Sequence, residues 1–152
     1  MSERLKQFLV ESNAAGYASG ADAGWTKEKD GSTTIVHESG DFRMHDNFFG
    51  GEPYGGREVV FYQGKPHWMM VYYGAVEKGV DQKEVYRFLQ ASLKQMPEDA
   101  PFRGPKEHED GDWRYENEWK GEVESFRGDE RILKSGQKVY WAGYIGGLVD
   151  QS

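Results

Sequence analysis

The stretch GREVVFYQGKPHWMMVYYGAV at residues 56–76 returns in altered form as GDERILKSGQKVYWAGYIGGL at residues 128–148. An offset of 72 residues (128 − 56) aligns chemically similar side chains at equal spacing: Glu58 with Glu130, Val60 with Ile132, Trp68 with Tyr140 and Tyr72 with Tyr144. Each copy contains an extended run, a glycine turn and a second extended run rich in aromatic and β-branched residues. This pattern predicts two β-hairpins.

Helical patterns repeat as well, at an offset of 80 residues. Apolar spacing of i, i+3 and i+4 predicts one buried helix face in each half: Leu5, Phe8, Leu9 and Ser12 in the first, Val85, Phe88, Leu89 and Ser92 in the second. We expect the first helix to begin with Ser2 as N-cap and to end near Gly16. The second begins at Asp81, with Glu84 completing a box-like cap, and stops before Pro97.

The remaining segments fit between these elements. One further extended run precedes each hairpin, at residues 41–49 and 113–121, and a loop rich in Gly, Ala and Ser spans residues 16–33. The segment PFRGP (101–105) predicts a rigid crossover that Arg103 anchors against a carboxylate, and the charged segment 106–112 predicts a solvated loop.

The predicted architecture is therefore a single α+β domain over residues 1–152. It consists of two duplicated helix-strand-hairpin units, at about residues 1–76 and 81–149, which form a mainly antiparallel sheet of six strands. Two helices cover one face of this sheet. The other face is also apolar and needs a cover, because Met69, Val71 and Tyr73 alternate with Trp68, Met70 and Tyr72.

Composition narrows the classes of function. Aromatic residues make up 14% of the 152 residues, which indicates a folded domain rather than a disordered segment. A formal net charge of -7 disfavours binding to nucleic acid by the chain itself. Because the sequence contains no cysteine, no secretory signal and no long apolar run, we expect a cytoplasmic protein with no membrane contact.

The candidate binding residues are aromatic side chains and the two matching glutamates. Trp68, Tyr72, Tyr140 and Tyr144 would line a cleft, and Glu58 or Glu130 would set its polarity. A carboxylate among aromatic rings suits a small amphipathic or cationic ligand. The alternative is that the glutamates form ion pairs at the rim of the sheet, Glu58 with Arg57 or Arg43 and Glu130 with Arg131 or Arg127.

No catalytic, metal-binding or cofactor-binding residues are predicted. The histidines His37, His45, His67 and His108 match no zinc spacing, and no serine or cysteine nucleophile is indicated. Three hypotheses remain: a non-enzymatic small-molecule-binding or sensing module, a homodimerising or partner-docking module, and an acid–base enzyme that combines Glu58 with His45 or His67.

The chain resembles a family of bacterial domains of unknown function, found alone or behind an N-terminal helix-turn-helix in regulator-like proteins. The resemblance lies in GGEPYGGREVV (50–60), GKPHWMMVYYG (64–74), PFRGP (101–105) and VYWAGYIGGL (139–148). It implies an effector-sensing role. The layout also looks like that of gyrase-inhibitor-like effector domains, whose aromatic cleft contains a glutamate.

Overall fold

The computed structural model describes residues 1–18 and 24–152, and in this part of the chain it contains two helices and nine strands. In chain order the elements are α1 (Ser2–Ala18), β1 (Trp25–Lys27), β2 (Thr33–Ser39), β3 (Phe42–Phe49), β4 (Tyr54–Tyr62), β5 (Lys65–Val76), α2 (Gln82–Leu93), β6 (Glu107–Asp110), β7 (Trp113–Glu122), β8 (Ser125–Lys134) and β9 (Gln137–Leu148). Both expected helices, both hairpins and the extra strand before each hairpin are present, so the α+β class is confirmed.

The nine strands form one antiparallel sheet in the order β1-β2-β3-β4-β5-β9-β8-β7-β6. The longest strands, β5 and β9, contain 12 residues each and pair at its centre. From this central pair, each hairpin partner lies next outward, followed by the strand that precedes the hairpin. The strands before α2 and those after it therefore occupy opposite halves of the sheet.

Both helices pack on the same face of the sheet, which we call the inner face. All eight residues of the two predicted helix faces are buried, as expected from their spacing. Those of α1 pack on β3, β4 and β5, and those of α2 pack on β7, β8 and β9. Asp81 is the N-cap of α2, because its carboxylate accepts a hydrogen bond from the Lys83 amide at 2.9 Å. Neither helix among the described residues is long and apolar enough to cross a membrane.

The crossover after α2 covers the inner face between the helices. The Phe102 ring stacks on that of Phe126, with 4.0 Å between ring centroids. The Gly104 amide donates a hydrogen bond to the Tyr115 hydroxyl at 3.0 Å, and a Cβ on Gly104 would lie only 2.6 Å from the Tyr115 ring. Glycine is therefore required where the crossover passes over Tyr115.

A buried ion pair fixes the crossover to β8. Arg103 donates two hydrogen bonds to Glu130 Oε1, from Nε at 3.1 Å and from Nη2 at 2.5 Å. Glu130 also accepts hydrogen bonds from the hydroxyls of Tyr140, at 2.9 Å, and Tyr115. Because Glu130 is only 2% exposed, these four donors replace the water that a buried carboxylate loses. The expected anchoring of Arg103 on a carboxylate is confirmed.

The sheet has more strands than the six predicted. Within the predicted loop of residues 16–33, the described residues Trp25–Lys27 form β1; residues 19–23 of that loop lie outside the described part. The prediction of a solvated loop at residues 106–112 was wrong, because Glu107–Asp110 form the edge strand β6. Its charges suit an edge exposed to solvent, where Arg114 of β7 pairs with Glu107 and Glu109.

The opposite face of the sheet, the outer face, exposes apolar side chains at its centre. Val71 and Tyr73 of β5 and Trp141 and Ile145 of β9 are each between 40% and 58% exposed. Val71 lies opposite Ile145 in the strand register, and the rings of Tyr73 and Trp141 are 5.9 Å apart. This contiguous patch is the apolar second face expected from the alternation in β5.

Replacing Glu130 with alanine should lower the free energy of unfolding by about 3–5 kcal/mol, because Arg103 would remain buried without its counter-ion. Replacing Arg131 with alanine is the control. Its ion pair with Glu116 is exposed and should be worth less than about 1 kcal/mol. Urea denaturation followed by tryptophan fluorescence measures both losses. Equal losses would contradict the anchoring role of Arg103 and Glu130.

Candidate functional site

A cavity of about 340 Å³ lies on the inner face, between the sheet, the two helices and the crossover. Its volume falls near the lower end of the range for small-molecule sites, about 300–1,000 Å³. The walls are mainly apolar and come from both helices and the central strands, with the side chains of Leu9, Leu89, Leu93, Met44, Met70 and Phe48. Such walls suit the apolar body of a small ligand.

Two carboxylates occupy the sheet side of this cavity. In β3, alternation places Asp46 on the same face as Met44 and Phe48, so that it interrupts an apolar row. Glu58 of β4 is the direct register partner of Asp46. Cross-strand partners have Cβ atoms about 4.5–5.5 Å apart, which brings the two acidic groups together.

Among the described residues Asp46 has one hydrogen-bond partner, Tyr72, whose hydroxyl donates to Oδ1 at 2.5 Å. The guanidinium carbon of Arg103, which also lines the cavity, lies 5.5 Å from the centroid of the Tyr72 ring. Burial raises the pKa of Asp46 to about 6, and the hydrogen bond from Tyr72 and the charge of Arg103 oppose that rise. Asp46 is therefore harder to ionise than an exposed aspartate.

Glu58 has no hydrogen bond or ion pair with any residue in the described part of the chain. Burial raises its pKa to about 8; the nearby charge of Asp46 adds to the rise and Arg103 opposes it. The two acids therefore hold about one proton between them at neutral pH. A buried carboxylate without a donor is costly, so a cation with N–H groups would be favourable here.

The rim of the cavity is held by contacts between the segment 50–53 and neighbouring elements. Tyr86 of α2 donates from its hydroxyl to the Gly51 carbonyl at 3.0 Å and also to the Glu52 carboxylate. Glu52 Oε1 in turn accepts the Val76 amide at 2.7 Å. The glycine-rich segment 50–53 is thus fixed at the mouth of the site.

The six residues predicted to bind a ligand separate into two groups. Glu58 and Tyr72 line the cavity, whereas the other four are buried outside its lining: Trp68, Glu130, Tyr140 and Tyr144. The Trp68 indole N–H donates to the Val123 carbonyl at 2.9 Å, and Tyr144 donates to Asn117 Oδ1 at 2.7 Å. These four side chains have structural partners within the core.

Neither expected rim pairing of the glutamates occurs among the described residues. Arg43 pairs with Glu38, and Arg131 pairs with Glu116, both away from the inner face. Glu130 instead binds Arg103, which comes from a segment remote in sequence. The prediction of ion pairs at the rim of the sheet was wrong because both glutamates point to its covered inner face.

The histidines do not contribute to the cavity. His45 lies opposite Val59 in the register and so faces away from Asp46 and Glu58. His67 contacts the Tyr62 ring and is also outside the lining. An acid–base pair of Glu58 with His45 or His67 is therefore not formed. The described residues contain no group of three or more side chains suited to hold a metal ion.

Sequence reasoning missed Asp46 as a site residue, although a signal was present. The row Phe42, Met44, Asp46 and Phe48 contains a single acid on an apolar strand face. The register that sets Asp46 opposite Glu58 depends on how β3 and β4 align. A strand-pairing argument was therefore needed in addition to alternation.

A comparison with protein families identifies a match over most of this structure. The model of a domain of unknown function, DUF5680, matches residues 46–149, which include both site carboxylates, α2, the crossover and both hairpins. Neither the curated proteins nor the solved structures contain a match to the chain. Since the matched residues exceed half of the 152, the chain belongs to the DUF5680 family.

Proposed function

We propose that the protein is a non-enzymatic binding module that takes a small amphipathic cation into the inner-face cavity. The observation that carries this proposal is the carboxylate of Glu58, which has no partner among the described residues and lies beside Asp46 at the floor of an apolar cavity. A ligand ammonium group would pair with these carboxylates, and its apolar body would contact the leucine and methionine walls.

We also infer that the two halves of the chain arose by duplication and that only the first half keeps an open site. The positions of the strands on either side of β5 and β9 support this inference. So does the chemistry at matching positions, because Glu58 and Glu130 face the same side of the sheet in β4 and β8. In the second half, Arg103 already forms an ion pair with the Glu130 carboxylate.

A sensing role would follow from this arrangement in a cytoplasmic regulator of bacterial origin. Both helices and the crossover border the cavity, so a bound ligand would contact all three elements. The two helices also contact each other directly, through the hydrogen bond from the Asn13 side-chain amide of α1 to the Leu93 carbonyl of α2, at 3.0 Å. Ligand binding would therefore stabilise one relative position of the helices.

The outer face supports a second candidate function, self-association. Beside the apolar patch lie Arg127 and Asp129 of β8, which are exposed and make no ion pair with any described residue. In a two-fold symmetric dimer, Arg127 of each copy can meet Asp129 of the other while the two patches pack together. We propose a second copy of this chain as the occupant.

The first test of the cation site compares two matched ligands, phenylbutylamine and phenylbutanol, by isothermal titration calorimetry. The amine should bind at least about tenfold more tightly, because hydrogen bonds from a charged donor contribute about 1.5–3 kcal/mol. Glu58→Gln should abolish this difference. Glu118→Gln removes the same charge from an exposed position and should leave it intact. Equal binding of amine and alcohol to the unmodified protein would refute the proposal.

Affinity for phenylbutylamine should rise with pH between about 5.5 and 8.5. The amine stays protonated over this range. Below the pKa of Glu58, about 8, and more so below that of Asp46, about 6, the cation must displace protons. Affinity should then fall by up to about tenfold per pH unit for each proton displaced. Titrations in buffers of different ionisation enthalpy should detect proton release. A flat profile would contradict a carboxylate site.

Self-association is tested by sedimentation velocity at several protein concentrations. The unmodified protein should sediment as a dimer of the 17.4 kDa chain, and Ile145→Glu should shift it to monomer because the charge would be buried in the contact. Glu98→Gln, an exposed substitution in the loop after α2 and away from the apolar patch, is the control. A monomer at all concentrations would exclude this second function.

A further inference from the structure

The second half of the sheet contains a carboxylate at the matching position that already holds a cation. Glu130 is the register partner of Asn117, as Glu58 is of Asp46. Tyr144 donates its hydroxyl to Asn117 Oδ1 at 2.7 Å, and Tyr72 donates to Asp46 Oδ1 at 2.5 Å. The same trio of glutamate, short polar side chain and tyrosine therefore occurs on both sides of the central strand pair.

The cation at Glu130 is the guanidinium of Arg103, and it is held by three kinds of contact. Two N–H groups reach Oε1 of the carboxylate. Nη2 also donates to the Tyr54 hydroxyl at 3.0 Å. The Tyr72 ring lies 5.5 Å from the guanidinium carbon, within the range of a cation–π contact. A carboxylate, a tyrosine hydroxyl and an aromatic ring together recognise this group.

Glu58 offers a carboxylate to which no cation is hydrogen-bonded among the described residues, and aromatic rings lie beside it. The Tyr54 and Tyr72 side chains line the same cavity and provide aromatic surface beside it. Asp46 replaces the neutral Asn117, so this site has one more acidic group than the occupied one. It can accept more N–H hydrogen bonds, and in the described part of the chain no cationic side chain is hydrogen-bonded to it.

The number of N–H donors distinguishes the possible cations. A monosubstituted guanidinium has five donors in one plane, a primary ammonium has three, and a quaternary ammonium has none. Planar donors can reach two neighbouring carboxylates at once, as arginine does with paired acceptors. A quaternary group would desolvate both carboxylates without donating a hydrogen bond to either, which is unfavourable in a cavity with apolar walls.

We propose that the natural ligand of the cavity is a monosubstituted guanidine with an apolar tail. The proposal rests on the cation site proposed above and specifies the chemistry that this site selects. The guanidinium would hydrogen-bond to Glu58 and Asp46, and the tail would lie along the walls formed by Leu9, Leu89 and Met70. Arg103, bound to Glu130, is the internal counterpart of this ligand.

The test uses three cations with one shared tail: phenylbutylguanidine, phenylbutylamine and trimethyl(phenylbutyl)ammonium, titrated into the full chain by calorimetry. The guanidine should bind at least about tenfold more tightly than the trimethylammonium compound and more tightly than the amine, because sites built on hydrogen bonds reject analogues that lack the donors. Glu58→Gln should reduce the guanidine preference to less than about threefold. The exposed substitution Glu118→Gln should not change it.

The outcomes separate this inference from the proposed function. If the trimethylammonium compound or the amine binds as tightly as the guanidine, the guanidine inference is overturned and the cation site stands. If no cation binds better than phenylbutanol, both proposals fail. An amide NMR spectrum of Glu58→Gln that retains the dispersion of the unmodified protein shows that the variant is folded, so that its loss of preference reports on the site.

Discussion

The buried ion pair between Arg103 and Glu130 determines how the two halves of this protein fit together. An uncompensated charge in the core would be strongly unfavourable, so the segment after α2 must cross the sheet where Arg103 reaches β8. That path also sets Phe102 on Phe126 and Gly104 against Tyr115. The crossover consequently covers the centre of the inner face and forms one wall of the cavity over β3, β4 and β5.

The matching carboxylates of Glu58 and Glu130 have different surroundings in the two halves of the sheet. Glu130 has four donors, whereas Glu58 has none among the described residues and shares its site with a second acid. Burial and the charge of Asp46 both make Glu58 harder to ionise in the folded chain. Strained or uncompensated groups of this kind are characteristic of functional sites rather than of structural cores. The contrast within one sheet makes the first half the better candidate for binding.

The order of the helices and hairpins was predictable from the sequence, because alternation in β5 and β9 and the i, i+3, i+4 spacing of the helices are strong local signals. The edge strands were not predictable in this way. The sequence of β6 is typical of a charged loop, and its strand depends on backbone pairing with β7, where Arg114 contacts Glu107 and Glu109. The site was predictable in part. Glu58 and Tyr72 were named from the repeat, but their separation from Trp68, Glu130, Tyr140 and Tyr144 depends on the crossover. The path of that segment over the sheet leaves no periodic pattern in the sequence.

The short outermost strands have a consequence for how copies of this protein can meet. The edge strands β1 and β6 contain only three and four residues, and β6 carries three acidic side chains. A strand of another molecule would gain few backbone hydrogen bonds at either edge, and at β6 it would also encounter acidic side chains. Open-ended growth into fibres by strand addition is thereby disfavoured. Association through the outer face of the sheet can instead stop at two copies.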